Sequence, residues 1–318
     1  MPPAVCLNRS RIAESTVKFE TRKELVNRLL IVDGHAAAYR AFYAIRELRS
    51  PDGRPTNAIY GFVKMLAKMR AVVGATHLIV VWDGGLSAER LAAMPGYKAQ
   101  RPEMPDDLKT QLDEIVQYLA AAGIASFRRE GVEADDYIAC LARWAVNAAL
   151  SVVIASSDKD FMQLVSERVG LLNPNDKDGK IWTDEQVRNK SGVRPSQIVD
   201  WLSLMGDSAD NIPGVSGVGP KTAADLLNRF GSVTGLYERL DEVKSEKMRA
   251  ALREAEDTVR RNRELVRLRD DLLCVFSAAE LAEKTVDVHR LRELFQRWGF
   301  KGMLAALPEA AAEQAILI

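Results

Sequence analysis

The chain has 318 residues, of which 47% are hydrophobic and 28% are charged, and it carries 44 basic and 44 acidic residues. This length can bury a large core, so we expect two lobes or domains. The zero net charge argues against a simple basic nucleic-acid-binding protein. No apolar run reaches the ~18 uninterrupted residues of a membrane span, so we expect no membrane partner.

The amino-terminal segment and the cysteines indicate a cytoplasmic protein. Residues 1–27 contain acids and lack an apolar signal core, so we expect a non-exported extension, either a disordered tail or a mis-assigned start. Cys6, Cys140 and Cys274 are widely separated, with neither zinc-site spacing nor an even-numbered disulfide framework. Free thiols of this kind are typical of a reducing compartment.

Three apolar, β-branched runs predict buried parallel strands that end in acids. They are LLIVDG at 29–34, HLIVVWDG at 77–84 and SVVIASSDKD at 151–160. Helical patterns lie between them. One of these predicts a buried face formed by Ile59, Phe62, Val63, Leu66, Met69 and Val73. The alternation predicts an α/β fold over residues 28–194, with a mostly parallel central sheet flanked by helices.

The remaining chain has a different pattern. After residue 195 the sequence predicts a helix, a glycine-rich hairpin and a further helix, then a charge-laced helical stretch over 240–272. The run LRELFQRWGFKGMLAAL predicts an aromatic-bearing helix that docks on the core. We therefore predict a helical lobe over residues 195–318. Within the first lobe, the loop at 84–105 is unusually long, and such loops are usually functional or disordered.

Acidic side chains concentrate where the predicted strands end. In open α/β sheets, ligands bind at this edge. Nine acids are predicted to converge there: Asp33, Asp83, Glu133, Asp135, Asp136, Asp158, Asp160, Asp207 and Asp210. Each has a plain structural alternative. Asp33 alone could be a turn residue, Asp158 or Asp160 a helix N-cap, and the acids of GVEADDYIA could simply favour a helix N-terminus.

The number of acids favours a metal site over these alternatives. Two like charges ~4 Å apart repel by about 4 kcal/mol at an effective dielectric near 20, whereas a helix N-terminus stabilises an acid by under ~1 kcal/mol. The group is therefore expected to protonate or to bind cations. Carboxylates without histidine or thiolate select Mg²⁺ or Mn²⁺, and two such ions ~3.5–4 Å apart suit phosphodiester hydrolysis. Neutralising these acids would leave a basic surplus for a polyanion.

Other side chains are candidates for contact with that polyanion. The hairpin GVSGVGPKTAADLL places Gly214, Gly217, Gly219, Lys221 and Thr222 near a helix N-terminus, where backbone amides can approach a phosphate. The alternative is a plain Gly/Pro turn. Arg90, Lys98 and Arg101 could offset phosphate charge or form a solvated basic loop. Tyr39 could stack on an unpaired base or pack in the core, and Arg40 could hold a phosphate or lie on the surface.

Taken together, these motifs resemble the 5′ nuclease family, which contains the flap endonucleases and the N-terminal 5′→3′ exonuclease domain of bacterial DNA polymerase I. The matching segments follow the family order over about residues 28–305. They are IVDG, VVWDG, GVEADDYIA, SSDKDFMQL, LMGDSADNIPGVSGVGPKTA and the pattern YK..RP.MP. The resemblance implies a PIN-like 5′ nuclease core and, at the hairpin, a helix-three-turn-helix element that grips duplex DNA and often holds K⁺.

The resemblance also implies roles for the candidate residues. Six acids would serve mainly the tighter of two metal regions: Asp33, Asp83, Glu133, Asp135, Asp136 and Asp158. Asp160, Asp207 and Asp210 would surround the second. The 84–105 loop would be the arch through which a 5′ single strand passes, with Arg90, Lys98 and Arg101 as its basic catalytic positions. Tyr39 and Arg40 would be the family's first-helix pair.

Three positions depart from the family pattern. Glu89 stands where an aromatic residue usually precedes the arch arginine, Ser87 replaces a common lysine, and His35 replaces a small hydroxyl or amide residue. These changes bear on strand threading and cleavage rate and leave the predicted metal site intact.

The predicted function is that of a stand-alone, Mg²⁺-dependent (or Mn²⁺-dependent) 5′→3′ exonuclease and flap endonuclease with two ions. Its expected substrate is DNA with 5′ flaps, nicks or ends. We expect a monomer in the cytoplasm, associated with the nucleoid and functionally linked to a DNA polymerase. The alternatives are a catalytically weak junction-binding protein of the same fold and a ribonuclease that removes RNA primers. An aspartyl-phosphate phosphatase is disfavoured, because VDGHA lacks a second aspartate two positions on.

Overall fold

A six-stranded sheet organises residues 27–176 and 178–308, the part of the chain that a computed structural model describes. The predictions for residues 1–26, including Cys6, and for residues 309–318 lie outside these ranges. The strands are β1 (Arg28–Asp33), β2 (His77–Trp82), β3 (Ala125–Arg128), β4 (Ser151–Ala155), β5 (Val169–Leu172) and β6 (Ile181–Trp182). Their order in the sheet is β3-β2-β1-β4-β5-β6, with β1 to β5 parallel and β6 antiparallel.

The predicted α/β class with a mostly parallel sheet is confirmed. The three apolar runs form β1, β2 and β4, which are adjacent in the sheet. The pattern missed β3, β5 and β6. These strands have two to four residues, and β3 and β6 are only partly buried, so neither carries a long apolar run.

Helices connect and cover the strands. The first seven in chain order are α1 (Gly34–Ala44), α2 (Asn57–Val73), α3 (Ala88–Ala93), α4 (Asp106–Ala121), α5 (Ala134–Asn147), α6 (Asp184–Ser191) and α7 (Ile198–Met205). The next seven are α8 (Pro220–Phe230), α9 (Val233–Glu238), α10 (Glu246–Glu254), α11 (Glu256–Val266), α12 (Ala278–Leu281), α13 (Val288–Trp298) and α14 (Lys301–Ala305). Short 3-10 helices cover Lys159–Leu164, Pro195–Gln197 and Leu240–Glu242.

The two faces of the sheet belong to two different cores. Leu29 and Ile31 of β1 point into the core that also contains α5 and the apolar residues of α7, α8 and α11. Leu30 and Val32 point into the core formed with α1, α2, α4 and α13. Because side chains alternate along a strand, β1 joins both layers. The helical second half of the chain is thus continuous with the first core.

Individual helices agree with the sequence patterns. All six apolar residues predicted for one face of α2 are buried. The aromatic-bearing segment forms α13, whose Phe295 and Trp298 pack into the core with α4. This helix was assigned by sequence to the lobe at 195–318, and that domain boundary stays a prediction. Every helix among the described residues is too short or too polar to span a lipid bilayer.

The glycine-rich hairpin joins α7 to α8 through a close backbone contact. A Cβ added at Gly214 would lie 2.2 Å from the Met205 carbonyl oxygen, so no side chain fits there. Gly217 has a φ of +76°, in the left-handed region that favours glycine. Gly219 is the N-cap of α8, and a Cβ there would contact nothing within 4 Å. The three glycines therefore serve different purposes, of which only the first two are structural.

Replacing Gly214 by alanine tests the packing of the hairpin. The added methyl group would push the hairpin away from α7, so Gly214→Ala should lower the free energy of unfolding by roughly 1–3 kcal/mol. Gly219→Ala is the matched control and should stay within about 0.5 kcal/mol of the wild type. Urea denaturation measures both. Equal stabilities for the two variants would contradict the close approach.

Candidate metal and phosphodiester site

A cleft of 290 Å³ lies at the carboxyl edge of the sheet, where the sequence predicted it. Asp33 ends β1, Asp83 follows β2, and Asp158 follows β4, and all three line the cleft together with Asp135. Asp33 and Asp158 also cap the helices that follow them, accepting hydrogen bonds from the backbone N–H groups of Ala36 and Asp160. Asp33 and Asp158 therefore both cap a helix and line the cleft.

The electrostatic environment of Asp33 suits a cation. By exposed area Asp33 is only half-buried, but protein atoms packed around its carboxyl group desolvate it. This desolvation raises the pKa of Asp33 to about 7, despite the hydrogen bonds donated by Ala36 and Ser156. Desolvation also raises the pKa of Asp83. A bound divalent ion would relieve this cost, because it favours the ionised carboxylate.

Three further acids form a buried group beside the cleft. Carboxylate oxygens of Asp160, Asp207 and Asp210 lie within 4.8 Å of one another. The Oδ1 atom of Asp160 is buried and has no hydrogen-bond partner among the described residues. Burial, followed by the charges of Asp158 and Asp207, raises the pKa of Asp160 well above its ordinary value. An orphaned buried carboxylate oxygen is costly unless something binds it.

The acids at the start of α5 point in different directions. Asp135 faces the cleft, and its Oδ2 lies 3.8 Å from the Lys98 ammonium. Glu133 is buried and accepts hydrogen bonds from the Ser87 backbone N–H, the Tyr97 hydroxyl and the Lys98 ammonium. Asp136 is buried against Arg90. Sequence prediction placed all three in one metal region, but in the structure only Asp135 lines the cleft.

Arg90 is enclosed by hydrogen-bond acceptors. Its guanidinium forms a bidentate pair with Asp136, at 2.8 and 2.7 Å, and lies 3.0 Å from Glu133. It also donates to the carbonyl oxygens of Leu265, in the last turn of α11, and of Arg267, directly after that helix. Four of the five N–H donors of the guanidinium thus form hydrogen bonds, and Glu133 adds an ion pair. Arg90 therefore joins α3, α5 and the segment after α11, and only 6% of it is exposed.

Lys98 is the basic loop residue held closest to the acids. It is buried, and its ammonium contacts Glu133 and lies 3.8 Å from Asp135 and 3.9 Å from Asp210. Burial lowers the pKa of Lys98, but the charges of Asp135 and Glu133 outweigh this effect and raise it. The backbone at Lys98 has a φ of 55°, an uncommon conformation for a residue other than glycine. The fold thus accepts local strain to place this ammonium at the cleft.

Two further basic side chains pair with the buried acid group. Arg101 donates to Asp210 at 2.6 Å and is about half exposed. Lys159 donates to Asp207 at 2.8 Å. Burial lowers the pKa of Lys159, but its hydrogen bond to Asp207 and the neighbouring acid charges raise it overall. Sequence reasoning missed Lys159, because a lysine between two aspartates reads as an ordinary surface charge.

The first helix contributes an aromatic wall to the cleft. Tyr39 lines the cleft and stacks against Tyr43, with ring centroids 6.4 Å apart, and Tyr43 is 67% exposed. Arg40 on the same helix is partly exposed and lies outside the cleft lining. His35 also lines the cleft, and its Nδ1 accepts the backbone N–H of Asp83. Burial lowers the pKa of His35 to about 4, so the neutral ring carries its proton on Nε2.

Two of the departures from the family pattern have local structural partners. Glu89 forms an ion pair with the Arg269 guanidinium at 2.8 Å, and the backbone N–H of Arg269 donates to Asp136. Ser87 is the N-cap of α3 and accepts from the backbone N–H of Arg90. Both residues help hold the start of the 84–105 loop against the segment after α11. The loop base is therefore packed rather than free.

The donor set fits hard divalent ions. The acids of the cleft and of the buried group offer carboxylate oxygens, the ligands that Mg²⁺ and Mn²⁺ prefer. In neutral His35, Nδ1 already accepts a hydrogen bond and Nε2 carries the proton, so neither ring nitrogen has a free lone pair for a metal ion. The orphaned Oδ1 of Asp160 supplies an independent sign of a missing partner. The residues present therefore suit the metal ions that the sequence implied.

Two family models match most of the chain. A family model described as the 5′-3′ exonuclease N-terminal resolvase-like domain matches residues 28–192, and one described as the 5′-3′ exonuclease C-terminal SAM fold matches residues 193–289. A 5′-3′ exonuclease of Aquifex aeolicus (strain VF5) is 40% identical over 277 residues, covering 87% of this chain and 93% of that protein.

DNA polymerase I of Bacillus subtilis (strain 168) is 38% identical over 288 residues, which cover 90% of this chain and 33% of the polymerase. The chain thus spans about a third of the polymerase relatives it matches.

Solved structures give the same fold. The T5 5′-exonuclease with bound divalent metal ions (zinc) matches with a TM-score of 0.64 and 25% identity, over 86% of this chain and all of that one (100%). The catalytic core of Rad2 in complex with DNA substrate matches with a TM-score of 0.59 and 17% identity, over 88% of this chain and 91% of that chain. The second likeness concerns the fold alone.

The contacts of Arg90 predict a structural role for its guanidinium. Arg90→Met leaves Asp136 buried without its partner, so the free energy of unfolding should fall by about 3–5 kcal/mol. Arg101→Met removes a half-exposed pair with Asp210 and should cost at most about 1 kcal/mol. Urea denaturation of the two variants makes the comparison. If Arg90→Met is as stable as Arg101→Met, the buried network does not hold α3 to α5.

The raised pKa of Asp33 predicts a pH dependence of the metal-free protein. Between pH 4 and pH 7 the unfolded chain has lost this proton while the folded chain keeps it, so Asp33 makes stability fall as pH rises through this window. Asp33→Asn removes the effect. Melting temperatures of both proteins in chelator, from pH 5 to pH 8, should show a shallower decline for the variant. Parallel curves would refute the assignment.

Proposed function

This chain belongs to the 5′-3′ exonuclease family, and we propose that it is a divalent-metal-dependent 5′→3′ exonuclease and flap endonuclease that hydrolyses DNA phosphodiesters. The observation that carries the proposal is the arrangement of acids at the carboxyl edge of the sheet. Asp33, Asp83, Asp135 and Asp158 line the cleft, while Asp160, Asp207 and Asp210 form the adjoining group with an unpartnered oxygen. We assign one Mg²⁺ or Mn²⁺ to each of these two groups.

Bound at these carboxylates, the two ions would polarise the phosphodiester, activate water and stabilise the departing oxygen. The chain's own residues would do the rest. Lys98 is held within the acids at the cleft, where its ammonium can offset charge that develops on the phosphate. Arg101 at the cleft edge can do the same from a more exposed position. Arg90 would act through Asp136 and Glu133 as a positioning residue.

The remaining contacts suit a nucleic-acid end. Tyr39, in its stack with Tyr43, offers a flat apolar surface to an unpaired base. Lys221 and Thr222 lie at the start of α8, whose N-terminus favours a backbone phosphate. Such contacts read no base, so selectivity would come from the duplex grip and the 5′ end. The match to DNA polymerase I relatives supports a functional link to a polymerase.

A cleavage assay tests the proposed function. Matched 5′-flap, nicked and blunt DNA duplexes are incubated with the protein and Mg²⁺ or Mn²⁺, and product lengths are measured. We expect cleavage near the flap junction and short products from nicks. Asp160→Asn should lower the rate at least about 100-fold, since a catalytic metal ion contributes several kcal/mol. Asp257→Asn, an exposed acid on α11, is the matched control.

A wild-type protein that binds the 5′-flap duplex but leaves it intact with both ions would contradict the proposal and favour a junction-binding protein. Faster cleavage of a matched RNA flap would favour the ribonuclease.

The start of α8 predicts a backbone contact. Lys221→Met should weaken binding of duplex DNA and reduce the slope of log Kd against log salt by about 1, because one fewer counterion is released. The rate at saturating DNA should not change. Lys68→Met, an exposed lysine on α2, should leave both affinity and slope unchanged. Fluorescence anisotropy in chelator at several salt concentrations measures these quantities. An unchanged slope for Lys221→Met would exclude the contact.

A further inference from the structure

Lys159 lies inside the second acid group. In the chain it stands between Asp158 and Asp160, and in space its ammonium donates to the Oδ2 atom of Asp207 at 2.8 Å. Its side chain is 36% exposed, whereas that of Asp207 is 9% exposed. The Lys159 ammonium therefore contacts the acid group from its solvent-facing side.

The two oxygens of Asp207 are held by donors of different mobility. Oδ1 accepts the backbone N–H of Ala209, within the turn that follows α7. Oδ2 accepts only the Lys159 ammonium among the described residues. A backbone donor cannot leave without rearranging the turn, but a lysine side chain can rotate about its flexible stem. Oδ2 is therefore the oxygen that Asp207 can release to another cation.

A divalent ion and the Lys159 ammonium would compete for that oxygen. The carboxylates of Asp160, Asp207 and Asp210 lie within 4.8 Å of one another, a spacing that one ion can bridge. Asp160 offers an oxygen without a partner, and Asp210 is shared with Arg101 and, at 3.9 Å, with Lys98. An ion entering this group would place two positive charges next to the ammonium, and like charges at such distances repel.

We propose that Lys159 is an internal counter-ion of the second metal site, which a divalent ion must displace and which then binds a backbone phosphate of the DNA. This inference rests on the proposed function. Lys159 stabilises the acid group while no ion is bound and weakens binding of the ion there. Its neighbours Asp158 and Phe161 line the cleft, so the displaced ammonium has a short path to a polyanion in the cleft.

Manganese binding to the DNA-free protein tests the first half of the proposal. The free Mn²⁺ signal in electron paramagnetic resonance is titrated with wild type, Lys159→Met, Lys159→Arg and Lys68→Met. Lys159→Met should bind the weaker Mn²⁺ about tenfold more tightly, because removing one nearby positive charge relieves repulsion at a partly solvated site. Lys159→Arg should resemble the wild type. Lys68 lies in the C-terminal half of α2, near the amino end of β2 and away from the carboxyl edge that carries the acids. Lys68→Met should therefore leave the Mn²⁺ affinity unchanged.

Thermal unfolding gives a readout independent of catalysis. In chelator, Lys159→Met should melt below the wild type, because the buried acids lose a cation. Saturating Mn²⁺ should shrink or reverse this difference. Equal Mn²⁺ affinities for Lys159→Met and wild type, or a melting difference that does not depend on Mn²⁺, would overturn the counter-ion role.

Manganese binding in the presence of DNA tests the second half of the proposal, that the displaced ammonium binds a phosphate. With a 5′-flap duplex bound whose junction phosphates carry cleavage-resistant phosphorothioate linkages, the wild type should gain Mn²⁺ affinity as its ammonium moves to a phosphate, and Lys159→Met should gain several-fold less. An equal gain in both proteins would show that the ammonium does not move to the DNA. Wild-type protein that binds no Mn²⁺ at all would instead contradict the proposed function, so the two failures can be told apart.

Discussion

Repulsion among carboxylates is the constraint that shapes the carboxyl edge of this sheet. Basic side chains of the chain itself offset part of this repulsion. Each of four pairs with one or more of the acids: Arg90, Lys98, Arg101 and Lys159. Part of the neutralisation that the sequence assigned to protons or bound cations is therefore internal. The acids that line the cleft have no basic partner closer than 3.8 Å, and one oxygen of Asp160 has no hydrogen-bond partner among the described residues. A divalent ion can neutralise these groups.

The pairs between basic and acidic side chains also link the loop at 84–105 to the rest of the molecule. The family resemblance implies an arch at this loop, and in the structure the base of the loop is packed through Arg90 and through the ion pair of Glu89 with Arg269. Glu89 stands where the family usually has an aromatic residue, a change that bears on strand threading and cleavage rate. In the structure it gains a partner on the segment after α11, so the same position serves attachment of the loop. Lys98 then reaches the cleft from a loop that is held at both the α5 and the α11 side.

Periodic patterns predicted the main strands, the buried face of α2 and the edge where the acids meet, because these depend on burial repeated along the chain. Direction within a short acidic run was not predictable. Asp135 and Asp136 are neighbours in sequence, but successive residues of a helix point about 100° apart, so one faces the cleft and the other faces Arg90. Long-range partners were not predictable either. Nothing near Lys159 in the sequence indicates Asp207, 48 positions away.

The most direct test of this account is a crystal structure grown with manganese, in which anomalous scattering locates the ions. We expect one Mn²⁺ among the acids that line the cleft and a second at the group containing Asp160, with the Arg90 pair to Asp136 unchanged. Manganese found elsewhere on the surface, or these carboxylates left without an ion at saturating concentration, would contradict it.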